Sequence, residues 1–155
     1  MEAYAFVKTL HILSATVLFG TGLGIAFFFW LGSRSGDDAA AYFAARVTVI
    51  ADFLFTTTAV IAQPLTGAWL VWHGGFDPLD RWLTVTYLLY LLAGACWLPV
   101  VFIQIRIRNL LHAKLTGSDF DDVQYRRLRS WWFVLGWPAF IALLIIVHLM
   151  VTKPS

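Results

Sequence analysis

Residues Val47–Trp72 read VTVIADFLFTTTAVIAQPLTGAWLVW, an apolar run broken by one formal charge, Asp52. Wound as a helix at about 1.5 Å per residue, the run is longer than the roughly 30 Å hydrocarbon layer of a bilayer. Three more runs match it: Ala5–Leu31, Trp82–Ile105 and Trp131–Thr152. Even the shortest is long enough to cross. A soluble chain of 155 residues has no use for four such segments. The expected fold is all-α: an integral membrane four-helix bundle, one transmembrane domain over residues 1–155. Its function should then lie in the polar groups that hydrocarbon would otherwise exclude.

Composition points the same way. The chain is 60% hydrophobic and 13% charged, with a mean hydropathy of +0.75. An ordinary soluble domain is roughly 25% charged. The short connections leave no room for a soluble domain, and a nucleic-acid partner is not expected. The single cysteine, Cys96, lies inside the third run, so no intramolecular disulfide can form. Glu2 precedes the first run, no basic segment leads it, and the run is too long for a signal peptide, so the first span is expected to be uncleaved.

The eleven basic residues are unevenly shared. Arg34, Arg46, Arg106, Arg108, Lys114, Arg126, Arg127 and Arg129 fall on one side, and Lys8, Arg81 and Lys153 on the other. The positive-inside rule puts the richer side in the cytoplasm and both termini on the extracytoplasmic side of a bacterial cytoplasmic membrane. Arg126–Arg129 then serve as topology signal and headgroup anchor. Within the cytoplasmic connection 106–130, Ser118 is expected to cap a short helix leading through Val123–Arg129 into the fourth span. Gly32 and Gly36 break the first connection, and Asp37 or Asp38 caps the second span. Gly74-Gly75-Phe76-Asp77-Pro78 reads as a tight turn. Trp30, Trp72, Trp82, Trp131 and Trp132 sit at span ends, where an aromatic belt belongs.

The second span carries a polar stripe. Asp52, Thr56, Gln63, Thr66 and His73 are spaced so that an unbroken α-helix holds all five near one face. An ionised Asp52 facing lipid would cost on the order of 3 kcal/mol, so it must face protein or a water-filled cavity, or else be protonated. The stripe is either a polar pathway or glue between helices. Pro64 removes one helix hydrogen bond and frees a carbonyl near mid-membrane.

In the first span Lys8 and His11 share a face, three residues apart. Lysine there can snorkel to the headgroups. A histidine inside hydrocarbon needs partners for its ring nitrogens, or a metal. Gly20, Gly22 and Gly24 include a Gly-x-x-x-Gly, which permits close helix approach and a homodimer. His11, His73 and His148 all fall in the outer half of the bundle, an arrangement that can bind a metal or supply an axial pair to haem iron. His112 lies on the cytoplasmic side, solvated.

Lys8-Thr9-Leu10-His11-Ile12-Leu13 followed by Phe19-Gly20-Thr21-Gly22-Leu23-Gly24 resembles the start of an uncharacterised family of bacterial predicted integral membrane proteins. The similarity continues through Gln63-Pro64-Leu65-Thr66-Gly67 and Ala93-Gly94-Ala95-Cys96-Trp97-Leu98-Pro99-Val100 to Leu149-Met150-Val151-Thr152-Lys153-Pro154. It implies a four-span fold and no particular chemistry. The K-x-x-H at the head of the first span is also similar to haem-dependent membrane protoporphyrinogen oxidases and to D-type copper-resistance membrane proteins. In the oxidases a first-span histidine ligates haem b and the neighbouring lysine is needed for function. Only Lys8 and His11 carry over, and the oxidase reaction is not transferred.

The functional expectation is a b-type haem protein serving electron transfer or a redox reaction near the outer face, with a redox partner or quinone. His11 would be one axial ligand and His148 or His73 the other, with Lys8 pairing a propionate. Gly20, Gly22 and Gly24 would make room for the macrocycle or a helix neighbour. Asp52, Thr56, Gln63 and Thr66 would form a polar route. The alternative is a small permease or accessory subunit for copper, another metal ion or a small polar solute, with a structural membrane subunit as the third possibility. Copper sites usually recruit more sulfur than Cys96 and Met150 provide.

Overall fold

Short polar signals set the helix ends. The Asp37 carboxylate accepts the Ala39 N–H at 2.8 Å and starts the second helix, while Gly36 ahead of it takes φ +75°. Gly75 closes that helix in the left-handed region at φ +69°. The Asp121 carboxylate accepts the Gln124 N–H at 2.9 Å and starts the fourth helix. In the computed structural model, which describes residues 1–154, these signals separate four helices: Glu2–Gly32, Asp38–Gly74, Arg81–Leu115 and Asp122–Thr152. Each is long and apolar enough to cross a membrane. No strand occurs among the described residues. The bundle is all-helical, and apolar side chains such as Leu65, Leu91 and Phe102 lie exposed on its outside, facing lipid.

The connection after the third span is shorter than its polar composition implies. The third helix continues to Leu115 and the fourth begins at Asp122, so Asp121, not Ser118, is the cap, and helix runs directly into the fourth span. Tertiary packing holds these overhangs. Ile107 and Leu111 are fully buried against Ala41, Ala45, Phe29 and Trp132 in the main hydrophobic cluster. Lys114 reaches Asp38 at 2.6 Å, and that carboxylate holds the lysine above its usual pKa range.

Two tryptophans assigned to the aromatic belt turn inward instead. Trp132 packs against Phe29 at a tilt with ring centroids 4.8 Å apart, and Trp82 meets Phe76 edge-on at 5.7 Å. Burying an indole between helices offsets more apolar area than leaving it at the headgroups. Trp30, Trp72 and Trp131 remain exposed.

The helices run up and down in sequence order. The third and fourth pack along much of their length, and the first and second close tightly where Gly32 meets Ala40 and Ala44. The first and fourth scarcely touch. Phe19 stacks on Phe140 at 5.1 Å and Phe29 packs against Trp132 at 4.8 Å, and between these two aromatic contacts the bundle is open.

Candidate functional site: a carboxylate at the floor of an apolar cleft

Asp52–Thr56 are π-helical: the Thr57 N–H bonds to the Asp52 carbonyl, five residues back. The hydroxyls that follow support the widened turn. Thr57 Oγ1 donates to the same Asp52 carbonyl at 3.1 Å, and Thr58 Oγ1 donates to the Leu54 carbonyl at 2.8 Å. An extra residue in a turn of 3.6 rotates everything beyond it by about 100°. The polar stripe is therefore split. Asp52 and Thr56 face inward toward the third helix, whereas Gln63 and Thr66 face the first. His73 belongs to neither group: it is exposed, stacked on Trp69 at 3.9 Å, with Nδ1 3.0 Å from the Trp69 carbonyl.

Asp52 is 2% exposed. Trp97 Nε1 donates to Oδ1 at 3.1 Å and Gln104 Nε2 donates to Oδ2 at 2.7 Å. Trp132 Nε1 lies 3.5 Å from Gln104 Oε1 and extends the chain of polar groups to the fourth helix. No lysine, arginine or histidine among the described residues forms an ion pair with this carboxylate. Two neutral donors offset part of its desolvation, at about 1.5–3 kcal/mol for a hydrogen bond to a charged group, but supply no counter-charge. One turn along, the Thr56 hydroxyl is buried with no hydrogen-bond partner. Most buried polar atoms are paired, and this hydroxyl is an exception.

Asp52 and Thr56 are among the residues that line a cavity of about 860 Å³. Its wall is almost wholly apolar and drawn from all four helices, with Trp97, Trp132, Phe133, Trp137 and Phe140 contributing rings. It fills the gap between the first and fourth helices, where Leu23, Phe27 and Trp137 are exposed toward lipid. Ser33, Arg34, Arg129 and Ser130 form its rim at the arginine-rich end. Arg129 points a guanidinium nitrogen at the Ser33 carbonyl, 3.4 Å away, and Arg34 lies over the Trp30 ring at 5.2 Å. The size suits a small molecule, for which pockets of roughly 300–1,000 Å³ are typical.

The carbonyl freed by Pro64 is that of Val60, and Tyr90 takes it: the phenol donates at 2.5 Å. Tyr90 also lines the cavity. Tyr90, Trp97, Gln104 and Trp132 are thus the residues that the spacing argument missed. A glutamine near the end of an apolar span was a legible signal. The aromatic partners were not, because an indole N–H looks like belt or core until its neighbour is known.

His11 occupies a second polar nest, between the first and second helices. Thr66 Oγ1 donates to the Ala62 carbonyl at 2.6 Å, which uses its one proton. At 2.7 Å from His11 Nδ1 it therefore accepts, so the network assigns the imidazole proton to Nδ1 and leaves the Nε2 lone pair open. Gln63 Nε2 donates to the His11 carbonyl at 2.8 Å and to Ser14 Oγ at 2.6 Å. Gly67 admits the ring: a Cβ there would sit 3.3 Å from His11 Cε1.

The expected gathering of histidines takes a different form. His11 lies against Thr66 and Gly67, His73 against Trp69, and His148 is exposed on the fourth helix. No group of three or more His, Cys, Asp or Glu able to hold a metal occurs among the described residues, and none of the four histidines lines the cavity. The imidazoles and the space large enough for a macrocycle are in different parts of the bundle. Lys8 is exposed near the terminal end of the first helix, and the His112 ring lies 5.4 Å from that of Tyr42 at the other end. Among the described residues, nothing beyond the local helix approaches within 4 Å of a Cβ placed at Gly20, Gly22 or Gly24; Gly22 lines the cavity. The glycine that does allow close helix contact is Gly32, where a Cβ would fall 2.5 Å from that of Ala44.

No curated protein and no solved structure matches the chain. One family model does, over residues 5–154, and its description agrees with four apolar helices exposed to lipid. The chain belongs to that family, the predicted integral membrane proteins called DUF2269.

Proposed function

We propose that the protein is a small-molecule binding protein or permease of the bacterial cytoplasmic membrane, which takes a hydrophobic guest sideways from the bilayer into the cleft between its first and fourth helices. One observation carries this reading: a buried carboxylate and an orphaned hydroxyl share the floor of an apolar cavity of about 860 Å³ that opens toward lipid. By the positive-inside rule, the arginine-rich end lies in the cytoplasm and both termini lie outside. The Arg34 and Arg129 rim then faces the inner leaflet. Asp52 and Thr56 supply polar recognition, and the aromatic wall supplies area. The test is photolabelling in membranes with a diazirine-bearing hydrophobic probe. Label on peptides of the first and fourth helices that is lost on Gly136→Leu supports the reading, because Gly136 is in the cavity wall. Label spread evenly over all four lipid-facing surfaces, unchanged by that substitution, overturns it.

A second reading, haem b or a metal ion held by His11, has support of its own in the open Nε2 lone pair behind a fixed Nδ1–H. A hydrogen bond of that kind orients an imidazole for a metal. A Soret band in protein purified from haem-supplied cells, abolished by His11→Ala, supports it. A sample that stays colourless after reconstitution with haem b counts against it.

A further inference from the structure

We propose that the guest of the Asp52 cleft is a hydrophobic organic cation, a bulky quaternary ammonium or phosphonium ion or a protonated amine; the inference rests on the cleft being a binding site and names the ligand that the site selects. The charge set deepest in the apolar wall is negative. Asp52 is 2% exposed, two neutral donors steady its oxygens, and no cation among the described residues pairs with it. A carboxylate taken out of water is stabilised chiefly by a counter-charge, and this one lacks its own. The walls around it suit such a partner. Trp97, which donates to the carboxylate, lines the cavity together with Tyr90, Trp132, Phe133 and Trp137. Aromatic faces attract cations that are too large or too weakly hydrated to demand water.

The two arginines do not reverse this preference. Both stand at the rim and are engaged there, Arg129 with the Ser33 carbonyl and Arg34 over the Trp30 ring. They sort by depth: a guest's positive centre is favoured at the floor, and any anionic group it carries belongs at the mouth. The charged or titratable groups facing the cavity are Arg34 beyond the first helix, Asp52 on the second, Tyr90 on the third and Arg129 on the fourth. The arginines stay charged, and the Tyr90 hydroxyl is committed to the Val60 carbonyl. Asp52 is thus the one carboxylate among the residues that line the cavity.

Three probes of nearly one shape decide it: tetraphenylphosphonium, tetraphenylborate and neutral tetraphenylmethane. Binding to the full-length protein in detergent is measured by equilibrium dialysis against empty micelles. The expected order is cation above neutral above anion. Asp52→Asn should weaken the cation by about thirtyfold or more, the loss typical of removing one member of a buried charge pair, and leave tetraphenylmethane unchanged. The neutral probe doubles as the folding control. If the Asn variant loses both probes, the ranking of the three probes on the unaltered protein decides. Equal or tighter binding of the anion overturns the inference while leaving the cleft a binding site. Failure of all three probes to bind overturns the cleft reading as well.

Discussion

Tyr90→Phe removes one oxygen, and its cost can be worked from a single carbonyl. Pro64 deprives the Val60 carbonyl of its helical partner, and the Tyr90 phenol donates to it at 2.5 Å. Hydrogen bonds between transmembrane helices average about 0.6 kcal/mol and reach about 1.7. This one belongs at the upper end, because without it a part-buried acceptor is orphaned, at about 1–3 kcal/mol. The expected loss for Tyr90→Phe is about 1.5 kcal/mol, roughly tenfold in the unfolding equilibrium. Pro64→Ala returns an N–H to the Val60 carbonyl from its own helix. In that background Tyr90→Phe should cost less than about 0.5 kcal/mol, a coupling of about 1 kcal/mol carried by the Val60 carbonyl. Unfolding of the two single variants and the double variant in mixed micelles of rising dodecyl sulfate fraction, followed by circular dichroism, measures it. An equal loss in both backgrounds refutes the argument that the proline creates the need for the phenol.

Gln104→Leu strips the 2.7 Å donor from Asp52 and should cost about 2 kcal/mol; combined with Asp52→Leu, which removes the carboxylate, the same change should cost almost nothing. The same denaturation assay checks both. Gly32→Ala drives a methyl to 2.5 Å from the Ala44 Cβ and 3.2 Å from the Ala40 carbonyl, so about 1–3 kcal/mol should be lost as the first two helices part. Gly20→Ala meets nothing within 4 Å and should be neutral or gain up to about 1 kcal/mol from helix propensity. A destabilised Gly20→Ala, with a shift in mass by light scattering, would instead show a second copy seated on that glycine face.

Much of the fold was legible in the primary structure because membrane insertion reads local composition. Hydrocarbon penalises each exposed polar group separately, so a run such as Val47–Trp72 announces a span without reference to its neighbours. Helix ends were nearly as plain: Asp37, Gly36 and Gly75 act through bonds to adjacent residues. Asp52 stood out for the same reason, as a charge that lipid forbids. The error over Ser118 and the inward turns of Trp82 and Trp132 share one origin. Each residue had a sound local reading, and burial against another helix outweighed it.

The site is a matter of rotation and distance between helices, and neither is written in a hydropathy profile. A 3.6-residue period puts Asp52, Gln63 and Thr66 on one face, but the π-helical turn at Asp52–Thr56 sends them to different neighbours. Hydroxyls at Thr57 and Thr58 can support such a turn, yet whether it forms depends on what the rotated carboxylate meets. Here it meets Trp97 and Gln104, 45 and 52 residues away. The cleft likewise exists because the first and fourth helices stay apart between the Phe19–Phe140 and Phe29–Trp132 contacts. Span number and length follow from the cost of each residue in hydrocarbon. Which polar groups share a cavity follows from how four such spans settle against one another, where aromatic packing and a single extra residue in a turn outweigh periodicity.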